Sequence, residues 1–283
     1  MKRIFLNLKR FDVSPVNGGV NRLATMCDWA QTIMEEIRNG ITHWSSQEVE
    51  FVFFLPEAHL ISAVRHRPYN VKIGSQGVFR ADTSPGGNFG AFTTNRTANA
   101  VVEMGCTHTL IGHCEERNDK GGILSMAGVS DGDLISRILN EEILAAQRAG
   151  LDVLYCIGEK SEEVDDWQAV LSSQLKTGLL DVDVSRVCIG YEPVWSIGPG
   201  KTPAGREHIQ RIADFVKNLI GDVPVVYGGG LKQDNAEMLA SIDNIDGGLI
   251  ALTRFTGEIG FYPQEFLAIV QLYLDAAQKG QQS

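Results

Sequence analysis

The sequence lacks the features that mark membrane-spanning, secreted and zinc-binding chains. No stretch approaches the roughly 18 uninterrupted apolar residues that a membrane helix needs, and the N-terminal residues enter a strand-like pattern directly, without a signal-peptide cleavage pattern. The five cysteines show neither CxxC nor zinc-ligand spacing; they are Cys27, Cys106, Cys114, Cys156 and Cys188. We therefore expect a soluble protein with reduced thiols, located in the cytoplasm.

Basic residues are also few. Lys and Arg number 25 against 35 Asp and Glu, which gives a formal net charge of −10. Because no basic block is present to neutralise phosphates, we expect neither nucleic acid nor an anionic membrane surface as a partner. A small anionic substrate stays compatible with this charge if a local site supplies positive groups.

The chain contains no Pro/Ser-rich or charged linker that would divide it. With 283 residues and 43% apolar content it is long enough to bury one large core. We therefore predict one domain over residues 1–283.

Short apolar runs alternate with helix-length amphipathic segments along the chain. The strand candidates are Ile4–Leu8, Val49–Leu55, Val71–Ser75, His108–Gly112, Val153–Ile157, Val187–Tyr191, Pro224–Tyr227 and Gly248–Leu252. Strands that are apolar throughout, with helices between them, favour a parallel sheet buried on both faces. Eight such units predict an α/β fold of the (β/α)₈ barrel type, although alternation alone leaves an open doubly wound sheet possible.

Three helices have clear signals in the sequence. One is capped by Ser130 or Asp131 and ends at Gly150, a second has Pro203 in its first turn, and a third begins at Pro263. Two stretches look irregular, Arg80–Phe92 and Asn118–Gly128, because each contains several glycines.

Polar side chains follow the predicted strands. Asn7 and Lys9 come at the end of the first, His113 and Glu115 after the fourth, and Glu192 after the sixth. In a parallel barrel these groups would share one mouth. A carboxylate base, an imidazole and an ammonium group together suit proton transfer next to a carbonyl.

The segment after Glu192 reads as a hinged lid over residues 193–202. Pro193 restricts the backbone, Gly198 and Gly200 permit the angles of a moving loop, and Trp195 supplies apolar bulk. The members of this predicted lid are Pro193, Val194, Trp195, Ser196, Ile197, Gly198, Pro199, Gly200, Lys201 and Thr202. An ordinary loop with a solvated glutamate is the simpler alternative.

Taken together, these motifs resemble the triosephosphate isomerase family almost from end to end. The matching segments, in chain order, are Asn7-Leu8-Lys9, Gly90-Ala91-Phe92-Thr93, Gly112-His113-Cys114-Glu115, Cys156-Ile157-Gly158-Glu159, Tyr191 to Gly198, and Tyr227-Gly228-Gly229. The resemblance implies that this chain folds as a TIM barrel. It also implies that the chain interconverts glyceraldehyde 3-phosphate and dihydroxyacetone phosphate in glycolysis and gluconeogenesis.

Roles for five residues follow from the resemblance. It implies that Glu192 transfers the proton through an enediolate, that neutral His113 polarises the oxygens, and that Lys9 stabilises negative charge. Asn7 would position Lys9, and Glu115 would order the polar network behind them. No metal or organic cofactor is implied.

The phosphate site departs from the family pattern. The residues at the matching positions are Gly198, Gly229, Gly230, Ala251 and Leu252, with Arg254 as an added candidate for pairing with the phosphate. Gly230 stands where the family usually has Ser, and Ala251-Leu252 replaces a Gly pair. Either the phosphate is held differently or the substrate differs.

The resemblance also implies a homodimer formed through the Gly90–Thr93 loop. Thr94-Asn95 replaces the usual Gly-Glu, and Glu116 replaces the usual Arg, so the familiar ion pair between them is missing. The loop from Gly77 to Phe89 is longer than usual.

Three alternatives to the triose isomerase stay open at this point. A longer ketose phosphate such as a tetrulose (erythrulose) phosphate is the nearest, motivated by the altered loops. A catalytically silent barrel that acts as a binding module belongs to another class. A glycosidase built on Glu115 and Glu192 is the third, and the lack of aromatic platforms near these carboxylates disfavours it.

Overall fold

The computed structural model describes residues 1–129, 131–197 and 201–280. Within them, eight parallel strands form a closed barrel in chain order, and β8 pairs with β1. The strands are β1 Lys2–Asn7, β2 Val49–Leu55, β3 Val71–Ser75, β4 His108–Ile111, β5 Asp152–Ile157, β6 Val187–Tyr191, β7 Val225–Tyr227 and β8 Gly247–Ile250. The predicted barrel is confirmed, and the open sheet is excluded.

Helices surround the barrel. In the described residues they are α1 Trp29–Ile41, α2 Leu60–His66, α3 Ala98–Glu103, α4 Cys114–Met126, α5 Gly132–Ala149, α6 Trp167–Gly178, α7 Arg206–Ile220, α8 Ala236–Ala240 and α9 Pro263–Gly280. None of the described helices is both long enough and apolar enough to cross a membrane.

Side chains alternate between two cores along each strand. In β2, Phe51 and Phe53 pack outward against the helices, whereas Val52 and Phe54 point into the barrel with other apolar side chains. This period of two explains why the strands are apolar throughout, since both faces are buried.

The barrel closes between β1 and β8 at close range. Arg3 is paired with Gly247, and a Cβ atom at residue 247 would lie 1.7 Å from the carbonyl oxygen of Arg3. Only glycine fits at this position.

The helix predictions at Gly150 and Pro263 are confirmed. The side chain of Asp131 accepts a 2.9 Å hydrogen bond from the backbone N–H of Asp133, and Gly150 ends α5 with φ of 96°. Ser130, the other candidate cap, lies outside the described residues. The stretch Arg80–Phe92 is irregular, as predicted.

Two helix predictions are wrong. Helix α4 covers most of Asn118–Gly128; it was missed because none of its residues is buried, so it shows no apolar stripe. Lys120 instead ties it to α5, since its Nζ lies 3.0 Å from a carboxyl oxygen of Glu142; Lys120 also pairs at 2.7 Å with Glu116 within α4. Helix α7 begins at Arg206 after the N-cap Gly205, so Pro203 lies before the helix and not in its first turn.

β2, β3 and β6 have the predicted bounds, and the ends of the other five strands differ from the predictions by one or two residues. The difference matters at β8, which ends at Ile250. Ala251 and Leu252 therefore belong to the loop that follows the strand.

Candidate active site

The polar ends of β1, β4 and β6 meet at one mouth of the barrel. Asn7 is the last residue of β1, His113 follows β4, and Glu192 directly follows β6. A cavity of about 450 Å³ opens there, and Asn7, Lys9, His113 and Glu115 line it. The structure thus brings together all five predicted catalytic residues.

Glu192 is buried, with 2% of its surface exposed. Its Oε1 lies 3.1 Å from Nε2 of His113, and its Oε2 accepts a 2.9 Å hydrogen bond from the backbone N–H of Cys114. Burial raises the pKa of Glu192 above the ordinary value, although His113 and the Cys114 N–H act in the opposite direction. A raised pKa strengthens the ionised carboxylate as a proton acceptor.

A glycine turn aims His113 at this carboxylate. Gly112 has φ of 81°, and a Cβ atom there would lie 2.7 Å from the carbonyl oxygen of Cys156. His113 becomes the N-cap of α4, and its Nδ1 accepts a 3.3 Å hydrogen bond from the backbone N–H of Glu115. With Nδ1 as the acceptor, a neutral imidazole carries its proton on Nε2, facing Glu192.

Lys9 supplies positive charge at the cavity. Its backbone has φ of 39°, and its N–H donates a 3.1 Å hydrogen bond to Oδ1 of Asn7. Its Nζ forms a 2.6 Å ion pair with Glu115. Burial acts to raise the pKa of Glu115, but the hydrogen bond and charge of Lys9 prevail and hold it below the ordinary value.

Gln76 belongs to the same cluster, and the sequence analysis did not single it out. Its Nε2 donates to Oδ1 of Asn7 and to the carbonyl oxygen of Lys9, both at 3.1 Å. It therefore holds the strained turn at Lys9 in place. A signal was present, since Gln76 follows β3 directly, as Glu192 follows β6.

The first part of the predicted lid is anchored to the barrel. Val194–Ser196 form a short 3₁₀ helix, and Nε1 of Trp195 donates a 2.7 Å hydrogen bond to Glu159, which follows β5. Tyr191 donates to the same carboxylate at 2.8 Å. Lys201 and Thr202 are exposed. The predicted lid residues Gly198, Pro199 and Gly200 lie outside the described residues.

The predicted phosphate-binding residues after β7 and β8 lie on neighbouring loops. Gly229 and Gly230 follow β7, which pairs with β8, and the N–H of Leu231 donates a 2.9 Å hydrogen bond to the carbonyl oxygen of Leu249 in β8. Ala251 and Leu252 are half-buried just beyond Ile250. The structure thus keeps these four residues in one region of the mouth.

Arg254 points to a different partner. Its guanidinium pairs with Glu265 and stacks on the ring of Tyr262, 3.8 Å from the centroid. A backbone bridge from Arg254 to Gly260 closes a small hairpin here. Direct pairing with a phosphate would require Arg254 to exchange its contact with Glu265.

This hairpin contacts the long loop that follows β1. Nη1 of Arg22 donates a 3.0 Å hydrogen bond to the carbonyl oxygen of Ile259, and Nε of Arg22 lies 3.7 Å from Glu258. Gly18, Gly19 and Val20 of the same loop line the cavity. The two loops together form a wall on the β1 and β8 side of the mouth.

One group of metal-ligand types occurs in the described part of the chain. One ligand atom each from His113, Cys114 and Glu192 lie within 4.8 Å of one another. Burial, with a smaller contribution from Glu192, raises the pKa of Cys114 to about 12, so its thiol is protonated at neutral pH. The five cysteines are free.

Comparisons with known proteins give one family. Residues 22–272 match the family model described as triosephosphate isomerase. Curated relatives include the triosephosphate isomerase of Geobacter metallireducens, 33% identical over 253 residues (84% of this chain and 92% of that protein). That of Marinobacter nauticus is 30% identical over 238 residues (80% and 85%). A crystal structure of triosephosphate isomerase from Bartonella henselae matches with a TM-score of 0.70 and 25% identity, covering 96% of this chain and 99% of that one.

Proposed function

The chain belongs to the triosephosphate isomerase family, and we propose on this basis that it interconverts glyceraldehyde 3-phosphate and dihydroxyacetone phosphate. The observation that carries the proposal is the pairing of Glu192 with His113, 3.1 Å apart at the mouth of the barrel. A buried carboxylate beside a neutral imidazole can move a proton between adjacent carbons, as in the known mechanism of the family.

The proposed reaction begins with substrate entering the cavity beside Lys9. Glu192 removes a proton from the carbon next to the carbonyl, and the two electrons of the broken C–H bond pass to the carbonyl oxygen. His113 donates its Nε2 hydrogen bond to that oxygen, and the ammonium of Lys9 stabilises the charge of the enediolate. Glu192 then returns the proton to the former carbonyl carbon. His113 gives its Nε2 proton to the oxygen on that carbon and takes the hydroxyl proton from the oxygen on the first carbon, which becomes the new carbonyl.

Asn7 and Glu115 support these groups rather than react. Asn7 fixes the backbone of Lys9, and Glu115 holds both the Lys9 ammonium and, through its N–H, the tautomer of His113. We propose that both act as positioning residues.

For the phosphate, we propose backbone N–H groups on the two loops after β7 and β8. The residues are Gly229, Gly230, Ala251 and Leu252, together with Gly198 of the lid. Arg254 is a further candidate, at the cost of its pairing with Glu265. The wall formed by the loop after β1 and the small hairpin lies beside this region.

The assembly and location are also proposals. We propose a homodimer through the Gly90–Thr93 loop, because residues 84–92 are almost entirely exposed and Phe89 is 92% exposed. A cytoplasmic enzyme of glycolysis and gluconeogenesis follows generally from the family, and the free cysteines agree with a reducing compartment.

The comparisons do not favour a longer ketose phosphate or a silent barrel over the triose isomerase. One experiment distinguishes the triose isomerase, the isomerase of a longer ketose phosphate and the silent barrel. Purified wild-type protein is assayed with glyceraldehyde 3-phosphate and, separately, with a tetrulose phosphate. Glu192→Gln serves as the test variant, and Glu237→Gln in α8, which is exposed, serves as the matched control.

We expect triose turnover that falls by about 10²–10⁴-fold or more in Glu192→Gln, and that is unchanged in Glu237→Gln. A kcat/KM that is higher for the tetrulose phosphate would instead assign the longer substrate. No turnover of either compound by the folded wild-type protein would overturn the proposal and favour the silent barrel.

A further inference from the structure

The base and the electrophile of the proposed reaction share a thiol neighbour. Sγ of Cys114 lies 3.9 Å from Nδ1 of His113, while Nε2 of His113 lies 3.1 Å from Oε1 of Glu192. One ligand atom from each of the three residues lies within 4.8 Å of the others. Thiolate, imidazole and carboxylate are the ligands that proteins use for Zn²⁺.

The spacing is close to that of a tetrahedral zinc site. Zinc–ligand distances of about 2.0–2.3 Å place neighbouring ligand atoms roughly 3.4–3.6 Å apart. A rotation of the Cys114 side chain and shifts of about 1 Å are enough to reach these values from the observed upper limit of 4.8 Å.

Two of the three residues line cavities. His113 lines the cavity of about 450 Å³, and Cys114 lines a second cavity of about 370 Å³ on the side of α5 and α6. An ion can therefore reach the thiol and the imidazole although Glu192 is buried.

We propose that Zn²⁺ binds His113, Cys114 and Glu192 and reversibly inhibits this protein. The Cys114 thiol loses its proton to solvent, and the imidazole binds through one ring nitrogen while keeping its single proton on the other. The thiolate and the carboxylate then neutralise the ion, as a buried site requires. Magnesium and calcium are excluded by the thiolate, which they do not favour.

Positive groups nearby oppose the ion: Lys9 acts electrostatically on Cys114 and Glu192, and Arg117 acts on Glu192. The N-terminus of α4, where Cys114 lies, carries about half a positive elementary charge. The thiolate and the carboxylate compensate the charge of the ion itself, and Glu115 compensates Lys9 through its 2.6 Å ion pair.

The proposed inhibition rests on the proposed isomerase function, because the ion occupies both Glu192 and His113. The binding of the ion does not depend on that function. With three protein ligands, a fourth position stays open to water. Because Zn²⁺ and the substrate both need Glu192 and His113, they compete for these residues.

The test titrates Zn²⁺ against isomerase activity in wild type, Cys114→Ser and Cys27→Ser, each normalised to its own metal-free rate. Cys27 is exposed and lies outside the site, so Cys27→Ser controls for zinc binding to other thiols. Co²⁺ in place of Zn²⁺ gives a second readout, the thiolate-to-cobalt absorption band, which needs no activity.

We expect inhibition that a chelator reverses, with at least about a 10–100-fold weaker effect in Cys114→Ser and no change in Cys27→Ser. The cobalt band should appear in wild type and Cys27→Ser and vanish in Cys114→Ser. Glu192→Gln replaces one carboxylate oxygen with an amide nitrogen. The cobalt band should remain in this variant but should appear only at a higher Co²⁺ concentration.

Equal zinc sensitivity in wild type and Cys114→Ser, or a cobalt band that survives without Cys114, would overturn the proposal. If the wild type binds Co²⁺ through its thiolate but shows no isomerase activity even without metal, the metal site stands and the proposed function is overturned. If Cys114→Ser fails to fold, the affinity change in Glu192→Gln decides: an unchanged Co²⁺ affinity overturns the site.

Discussion

Nε1 of Trp195 donates a 2.7 Å hydrogen bond to Oε1 of Glu159 and so ties the start of the predicted lid to the end of β5. Glu159 is fully buried, and a buried carboxylate that loses a donor is costly. The bond therefore contributes to stability as well as to the position of the lid.

Trp195→Phe tests the stability contribution of this bond. The variant keeps an aromatic ring but removes the donor, so we expect the free energy of unfolding to fall by about 1–3 kcal/mol. Urea denaturation measures it. Trp167→Phe, where the ring packs edge-on against Phe215, is the matched control and should lose less. Equal losses would mean that the Glu159 bond adds nothing beyond packing.

The pH dependence of the reaction should report the buried base. Glu192 must be ionised to accept a proton, and burial raises its pKa above the ordinary 4.5. We therefore expect kcat/KM to fall, as the pH is lowered, with a midpoint above 4.5. A pH profile of kcat/KM for the triose measures this. A midpoint at or below the ordinary value would contradict the raised pKa.

A second buried carboxyl should affect stability. Burial, with a smaller contribution from Glu116, raises the pKa of Glu142 from 4.5 to about 8. The folded chain then binds more protons than the unfolded chain between these values, so stability falls as the pH rises from about 4.5 to about 8. Glu142→Gln removes this titration, and its free energy of unfolding should fall less over that range.

Urea unfolding across this pH range checks the Glu142 prediction. Glu141→Gln is the control, because the carboxylate of Glu141, next to Glu142 in the sequence, is exposed. The free energy of unfolding of this variant should change with pH as in the wild type. If the free energy of unfolding of Glu142→Gln changes with pH as steeply as that of the wild type, the prediction for Glu142 is wrong.

Gly112→Ala should damage both the fold and the site. A Cβ atom there would lie 2.7 Å from a backbone oxygen, at a φ of 81° that side chains disfavour. We expect a loss of about 1–3 kcal/mol in stability and a lower kcat, because His113 moves. Gly122→Ala in α4 is the control; no heavy atom lies within 4 Å of its Cβ, and it should gain about 0.5–1 kcal/mol. Undiminished kcat in Gly112→Ala would show that the turn is not needed to aim His113.

Phe89→Ser tests the proposed dimer. Aromatic side chains often anchor interfaces, and Phe89 is 92% exposed beside the Gly90–Thr93 loop. We expect the dissociation constant of the dimer to rise at least about tenfold, measured by sedimentation velocity. Leu180→Ser, with the residue 61% exposed outside this loop, is the control and should leave the mass unchanged. A dimer that is unaffected by Phe89→Ser would place the interface elsewhere.

The barrel was predictable because its signal is local and repeated. β2 buries both faces, so the run around Phe51–Phe54 is recognisable without knowing its partners. The proximity of Glu192 and His113 was predictable for a related reason, since both follow strand ends, which a parallel barrel gathers at one mouth.

Contacts between distant residues carry no such signal. The hydrogen bond from Arg22 to Ile259 joins residues 237 positions apart, and nothing near either residue indicates it. Arg254 was expected at a phosphate because a guanidinium suits one, but whether it prefers Glu265 depends on how the small hairpin folds.

The close pairing of Arg3 with Gly247 has a consequence for synthesis of the chain. β1 leaves the ribosome more than two hundred residues before its second neighbour, β8. Until then, one edge of β1 and one edge of β7 have no strand beside them. During translation, the nascent sheet is therefore open and exposed to wrong strand pairing.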